Sequence, residues 1–426
     1  MKRKVKPYKG DKPRIYIIDV TNRDGVQTSG INLSKLQKTI LNMKLNEMGI
    51  YQCEMGFPAL GSEKNYINAN LELAEMGVLK PIILEGWTRA FAPDVEKAKE
   101  LCPELKHMNL SISTSDIMIK GKFGGRKNKK DIIDMMTEAV DKAVELGIET
   151  IGVNAEDASR TRHLNKHESY LIDFATAAKE HGADRIRYCD TVGFDTAHSA
   201  YERVKSLAEA VNIPIEIHMH NDISSAVTVA VEAAMGAIDA GVDAYINTTV
   251  GGFGERAGNT KLTPVLAHIK HSSGLEGIDI LDSRIDMKKC WDIANYVFRS
   301  FGHSIPINYP VLGANAFSHE SGIHVDGQLK DRHMYELYSP EEFGVPTDVK
   351  IVTGRKITIG EYSGTKAVIY VYEQLGIDLE NPERILRLVR YANLLNQKPL
   401  NEDELRFIAK YPDIAEKLMV VDPKFD

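Results

Sequence analysis

The sequence predicts an α/β fold, a (β/α)8 TIM barrel followed by a mostly helical C-terminal subdomain, and three observations point there. Between Arg14 and about His271, short apolar runs alternate with amphipathic stretches, the rhythm of parallel strands joined by crossover helices. Eight such units follow one another at a spacing of roughly 30 residues, the length of a βα repeat. Beyond His271 the rhythm stops and helical or irregular patterns take over. A doubly wound open sheet shares the alternation, but eight repeats make closure the economical arrangement. The chain thus divides into an N-terminal extension over 1–13, a catalytic barrel over 14–272, and a linker with a helical subdomain over 273–426.

The expected strands are Arg14–Val20, Tyr51–Met55, Lys80–Leu84, His107–Ser113, Thr150–Asn154, Arg185–Asp190, Ile215–His220 and Ala244–Thr249. Helices fill the gaps, among them Leu33–Met48, Asp131–Leu146, Thr196–Val211 and Ala226–Ala240. Several end just before Gly49, Gly147, Gly182 or Gly241, where glycine takes the left-handed C-terminal conformation at little steric cost. The glycine-rich, basic stretch Lys120 to Lys130 reads as a mobile loop after the fourth strand. Past the barrel, Leu275–Arg284, Lys288–Phe301 and Ser304–Pro310 suggest an irregular connector and a helix, and Thr365–Leu375, Pro382–Asn396 and Asn401–Leu418 read as helical.

Composition excludes several function classes. With 43% hydrophobic and 27% charged residues over 426, the chain is an ordinary soluble globular protein. A net charge of −7 provides no basic field for a polyanion, so nucleic acid is not an expected partner. No apolar run of signal or membrane-spanning length follows the basic segment Met1 to Lys12, and a cytoplasmic location without membrane contact is expected. The four cysteines, Cys53, Cys102, Cys189 and Cys290, form no CxxC pair and read as reduced, buried thiols.

In a βα barrel the functional surface lies at the C-terminal ends of the strands, and here nearly every strand end is polar. The first ends in Asn22-Arg23-Asp24-Gly25, the second in Glu54, the third in Thr88-Arg89, and the fourth in Ser111 to Asp116. The fifth ends in Asn154 to Arg160, the sixth in Asp190-Thr191, the seventh in His218 to Asp222, and the eighth in Asn247 to Asn259. His218 and His220 are the sharpest signal. Residues i and i+2 of a strand share a face about 7 Å apart, so one cation can reach both imidazoles, while Ile217 and Met219 face the helices. Asp24 adds a carboxylate from the first strand. Such a mixed nitrogen and oxygen site with open positions suits a divalent ion such as Mg²⁺, Mn²⁺, Co²⁺ or Zn²⁺.

Blander roles stand beside these. Arg23 and Asp24 could be a mutual ion pair closing the barrel mouth, and Glu54, Glu156 and Asp190 could orient a histidine or arginine instead of touching substrate. The segment Gly251 to Asn259 contains a G-x-G-x-x-A match, but it follows the last strand of the repeat, whereas the dinucleotide fingerprint belongs at the first βα turn.

These residues resemble the isopropylmalate and homocitrate synthase family within the HMG-CoA-lyase-like metallolyases. The matching segments are DVTNRDGVQ at 19–27, CEMGFP at 53–58, SISTSDI at 111–117, NAEDASR at 154–160, CDTVG at 189–193, HMHND at 218–222 and NTTVGGFGERAGNT at 247–260. Past the barrel come HESGIHVDG at 319–327, YELYSPEEFG at 335–344 and SGTKAV at 363–368. The resemblance covers nearly the whole chain. It implies a metal-dependent Claisen condensation of acetyl-CoA with a 2-oxo acid. By it, Asp24, His218 and His220 bind the metal with Asn259 nearby, and Arg23 stabilises the alkoxide formed when carbon attacks the ketone. Thr191 meets the substrate carboxylate, and His324 is the base, aided by Glu320 or Glu156, with Tyr335 as a donor. Asn22, Gln27, Glu54, Arg89, Ser111, Asn154 and Arg160 complete the implied substrate contacts. Because His324 and Tyr335 lie in the second domain, active sites shared across a homodimer are implied.

Three departures bear on the acceptor. Asn22 replaces the apolar residue that most members carry before Arg-Asp-Gly. Met118 stands where the family often has histidine. Gly152 occupies the position at which lysine-pathway homocitrate synthases carry an arginine for the distal carboxylate of 2-oxoglutarate. An apolar pocket for 2-oxoisovalerate is not evident, whereas Arg89, Arg160 and Asn22 offer contacts for a second carboxylate. Oxaloacetate is therefore the expected acceptor, as in the subgroup forming citrate by Re-face attack. Homocitrate, isopropylmalate or citramalate formation are the alternatives within the family. A retro-aldol lyase or a carboxyltransferase subunit is the alternative of another class, and the 319–327 segment argues against the carboxyltransferase.

Overall fold

A computed structural model describes residues 12–161, 170–318, 322–346, 363–396 and 400–420. Eight parallel strands, β1 (Ile15–Asp19), β2 (Gln52–Gly56), β3 (Ile83–Arg89), β4 (His107–Ser113), β5 (Thr150–Glu156), β6 (Arg185–Asp190), β7 (Ile215–Met219) and β8 (Ala244–Thr248), close into a barrel in sequential order. Closure comes from β1 pairing with β8, in register from Ile15 opposite Ala244 to Asp19 opposite Thr248. The helices of this part are α1 (Lys35–Met48), α2 (Lys64–Glu75), α3 (Ala92–Leu101), α4 (Asp116–Phe123), α5 (Lys129–Glu145), α6 (Tyr170–His181), α7 (Ala197–Val211), α8 (Ala226–Asp239) and α9 (Leu262–His271). Further on lie α10 (Cys290–Ser300), α11 (Gly322–Lys330), α12 (Thr365–Gln374), α13 (Pro382–Asn396), α14 (Glu402–Lys410) and α15 (Pro412–Met419).

Local chemistry sets the helix ends. Ser34 with Gln37, Asn128 with Asp131, and Thr196 with Ser199 form reciprocal capping boxes at α1, α5 and α7, each satisfying orphan backbone donors. Gly49, at φ 84°, closes α1 in the left-handed conformation, as the sequence predicts.

Three sequence expectations are corrected. The third strand begins at Ile83 and runs to Arg89, because Pro81 cannot donate to a ladder while Glu85 and Trp87 fill the barrel. The basic stretch from Lys120 is not a long loop. Ser115 accepts from the Met118 amide and starts α4, which ends at Phe123, so only Gly124 to Asn128 separate two helices. The run Asn401–Leu418 breaks at Tyr411, where Pro412 cannot continue α14 and opens α15.

The barrel's outer face is apolar and its inner face is largely polar. Ile15, Ile17, Cys53, Met55, Ile186, Ile217, Met219 and Ile246 join the buried core beneath the helices. Inside, Tyr16, Tyr51 and Tyr245 cluster with ring centroids 4.8 to 5.2 Å apart. Elsewhere in the lumen Gln52, Glu54, Glu85, Asn109, Arg185, Arg187, Glu216 and Asn247 are buried, where aliphatic layers are the usual filling. All four cysteines are buried and unpaired, and burial pushes the Cys53 and Cys189 thiols well up, which leaves them inert as expected. The connector after α9 returns to β1 through Ile15 N–H to Ile280 O at 2.7 Å and Asp282 N–H to Ile15 O at 2.9 Å. Lys44 of α1 lies 2.8 Å from Asp292 of α10 and 3.2 Å from Asp403 of α14, tying the C-terminal helices to the barrel. No helix among the described residues is long and apolar enough to cross a membrane.

Candidate active site

The turn after β1 is wound about one carbonyl. The amides of Arg23, Asp24 and Gly25 converge on Val20 O at 3.2, 2.8 and 3.1 Å, and Thr21 donates its amide and hydroxyl to Asp19. This turn holds two charged side chains against the barrel mouth, Arg23 and Asp24, 6% and 4% exposed. Arg23 donates Nε to Glu54 Oε2 at 2.5 Å and Nη1 to Asp24 Oδ1 at 2.9 Å. Its guanidinium lies 5.4 Å from the centroid of the Trp87 ring.

Strand alternation places His218 and His220 together, with ring centroids 5.1 Å apart, and His218 Nε2 is 3.6 Å from Asp24 Oδ2. The loop after β8 completes the group. Its bridge to His220 sets Asn259 alongside, and Asn259 Nδ2 donates to Asp24 Oδ2 at 2.6 Å. Glycines make this possible. A Cβ on Gly254 would strike the Asn259 amide, and one on Gly258, at φ 91°, would strike Gly252 O. The G-x-G-x-x-A segment is therefore a backbone cradle for Asn259.

Asp24, His218 and His220 each bring one ligand atom within 4.8 Å of the others. Burial opposes the Asp24 charge, but the carboxyl is held below its ordinary range, with the Arg23 guanidinium beside it and the Asn259 hydrogen bond favouring the anion. Burial lowers both imidazoles, His218 strongly, despite Asp24 beside them. The set is thus one carboxylate and two neutral imidazoles, which are the protonation states that bind a divalent ion. His220 Nδ1 and Asn259 Oδ1 are buried without a hydrogen-bond partner, as atoms reserved for a ligand would be. The residues fit a metal.

The other expected residues divide. Glu156 accepts from Ser113 Oγ and from Lys122 Nζ, both at 2.6 Å. Thr191 Oγ1 accepts from the Asp157 amide at 2.9 Å, which leaves its own O–H to donate. Asn154 turns Oδ1 to the Cys189 thiol, leaving its NH₂ to donate. Trp87, Ser111, Ser113, Lys122 and Glu156 line a cleft of about 340 Å³ at the ends of β3 to β5. Gln27 is exposed on the turn after Asp24.

Three residues expected at the acceptor's second carboxylate have protein partners in this structure. Asn22 donates to Lys38 O and Asn42 Oδ1 of α1, both at 2.8 Å, so its amide ties the strand end to a helix. Arg89 is paired bidentately with Asp94 at 2.6 and 2.8 Å. Arg160 holds both oxygens of Asp157 at 2.9 and 3.0 Å. Both cations are thus paired within the protein. Asp190 orients its surroundings, accepting from Ser159 Oγ and the Phe194 and Asp195 amides, while its carbonyl receives the His220 amide. In the C-terminal part the rings of His324 and Tyr335 stack at 4.2 Å. Glu320 lies outside the described residues.

Sequence reasoning missed the charged layer beneath the site. Arg187 donates Nε to Glu216 Oε2 at 2.6 Å, and its Nη1 is 2.6 Å from Glu54 Oε1. Arg185 lies 2.8 Å from Glu216 and 3.3 Å from Glu85. The signal was available: two arginines at i and i+2 of an otherwise apolar strand must share a face.

Residues 14–297 match the HMGL-like family, and residues 311–395 match the homocitrate synthase post-HMGL domain-like family. The chain is 51% identical over 414 residues to citrate (Re)-synthase of Dehalococcoides mccartyi, covering 96% of this chain and 99% of that one. It is 38% identical to 2-isopropylmalate synthase 2 of Caldanaerobacter subterraneus, covering 96% and 98%. Hydroxymethylglutaryl-CoA lyase from Pseudomonas aeruginosa shares the fold, with a TM-score of 0.54 at 16% identity over 69% of this chain and 95% of that one. The chain belongs to the HMGL-like family and carries the homocitrate synthase-like domain that follows its barrel.

Proposed function

We propose that this enzyme condenses acetyl-CoA with oxaloacetate to give citrate and free CoA. The observation that carries the acceptor is the 51% identity, spanning nearly both chains, to a protein named citrate (Re)-synthase. Asp24, His218 and His220 would hold a divalent ion, with the Asn259 amide oxygen beside them. When bound, such an ion, whether Mg²⁺, Mn²⁺, Co²⁺ or Zn²⁺, polarises the acceptor's keto group.

The chain's own residues do the rest. Arg23 is held by Glu54 and Asp24 through Nε and Nη1, and Nη2 donates to the keto oxygen as negative charge gathers there. The Thr191 hydroxyl, the Asn154 NH₂ and Ser111 bind the acceptor's carboxylates. His324 removes a proton from the acetyl methyl group with Tyr335 at its face, and the resulting carbon nucleophile bonds to the keto carbon. The alkoxide takes up a proton, and water cleaves the thioester to release CoA as a thiol. Glu156, braced by Ser113 and Lys122, supports the proton transfers. Sharing of these sites across a homodimer belongs to the same proposal, and light scattering with complementation between two inactive variants checks it.

Gly152 favours oxaloacetate over 2-oxoglutarate. A Cβ there would lie 2.5 Å from Asn109 Nδ2, so Asn109 fills the space that an arginine meeting a longer acid would need. A thiol-release assay with acetyl-CoA and a panel of 2-oxo acids, with and without EDTA, tests the reading. CoA release with oxaloacetate alone is expected, and no release with any acceptor would overturn it.

A further inference from the structure

Stability is a weak reason for the charged layer inside the barrel. Replacing buried ion pairs by packed apolar side chains is often neutral or stabilising, and TIM-barrel lumens are ordinarily aliphatic. Here Arg187, fully buried, stands between two carboxylates, with Nε on Glu216 Oε2 and Nη1 against Glu54 Oε1, each at 2.6 Å. Glu54 has one oxygen on Arg187 and the other on Arg23 Nε at 2.5 Å. Arg23 in turn spans to Asp24. The four side chains form one line from the strand interior to the barrel mouth, Glu216–Arg187–Glu54–Arg23, alternating in charge at every step.

This geometry fixes Arg23 in a way that its own strand cannot. Arg23 sits on a turn after β1, and a long side chain there has several rotatable bonds. Glu54, fully buried on β2, meets Arg23 with one oxygen, and its other oxygen faces the lumen, where it needs an opposite charge. Arg187 supplies that charge from β6, across the lumen, and Glu216 on β7 holds Arg187 by its Nε. The guanidinium sets Nε on Glu216 and Nη1 against Glu54 at the same time, separate positions that a single ammonium nitrogen cannot fill.

We infer that Arg187 is a positioning residue for the condensation, acting through Glu54 to hold Arg23 where charge develops on the acceptor oxygen. The inference rests on the oxyanion role proposed for Arg23 and adds to it a residue that touches neither substrate nor metal.

The test is a cycle of Arg187→Lys, Arg23→Lys and the double variant, read in two ways. Steady-state thiol release should show kcat for Arg187→Lys down about tenfold or more with KM for the acceptor within about threefold, the signature of an interaction made chiefly in the transition state. The double variant should be little worse than Arg23→Lys alone, because residues acting as one unit are not additive. Urea unfolding of the metal-free proteins supplies the second reading, in which Arg187→Lys should reduce the stability cost of Arg23→Lys. Additive effects in both measurements, or an unchanged kcat in folded Arg187→Lys, would overturn the inference. Should Arg187→Lys not fold, Glu54→Gln keeps the side-chain volume, removes the linking charge and must show the same fall in kcat at constant KM. A parent enzyme inactive with every acceptor would instead sink the condensation reading, and the unfolding cycle would still decide whether positions 23 and 187 are coupled.

Discussion

Arg23 reaches Glu54 through Nε at 2.5 Å and Asp24 through Nη1 at 2.9 Å, so one guanidinium braces a proposed metal ligand and presents its remaining amino group to the barrel mouth. Lysine carries the charge, but its single nitrogen cannot occupy the separate donor positions of Nε, Nη1 and Nη2. Arg23→Lys should lower kcat by about 100-fold or more, in line with the loss of one oxyanion donor. Metal content after gel filtration should stay close to that of the parent, and loss of the metal would mean that Arg23 acts on Asp24 alone.

His218→Ala should abolish metal retention. The variant leaves one carboxylate and one imidazole, too few donors to compete with a chelator, so metal analysis after dialysis should find at most a small fraction of the parent's content. EDTA should inactivate the parent reversibly, with activity returning on adding a divalent ion. Full activity in the metal-depleted parent would refute the assignment.

Gly258→Ala should disconnect Asn259 from Asp24. Its φ of 91° and the approach of Gly252 O leave no place for a methyl group, a cost of about 1–3 kcal/mol in backbone strain before the clash is counted. Because the strain falls on a loop at the mouth, far-UV circular dichroism should be preserved while metal affinity falls. Unchanged affinity would show that the loop does not set the site.

Glu85 makes stability depend on pH. Burial, with Glu216 close by, raises its carboxyl from an ordinary 4.5 to about 8, despite Arg185 and Arg187. Between those values the folded state holds a proton that the unfolded state has released. Stability therefore falls as pH rises from 4.5 to 8, at most by about 1.4 kcal/mol per pH unit. Glu85→Gln should flatten that slope in urea titrations across the window. A slope equal to the parent's would place the proton elsewhere in the layer.

Much of this was legible in the sequence because it is local. Period-two alternation placed His218 and His220 on one face and Ile217 and Met219 on the other, and the structure agrees. Glycines mark the C-terminal ends of several helices to within a few residues. The third strand differs in its bounds because its inward residues Glu85 and Trp87 break the apolar run that marks a buried strand. Partners distant in sequence are not legible in the same way, which is why the Arg185 and Arg187 pairings with Glu85, Glu216 and Glu54 emerge only from the structure.

The sequence by itself determined the order of the elements, the polar strand ends and the type of donor at each. These follow from chain periodicity and side-chain chemistry, which need no knowledge of distant neighbours. Only the tertiary structure decided which partner each charge takes. Arg185 on β6 and Gln52 on β2 are 133 positions apart, a pairing that exists only once the sheet has curled shut. A buried charge is stabilised by whatever opposite charge closure brings within reach, and that is a property of the closed barrel.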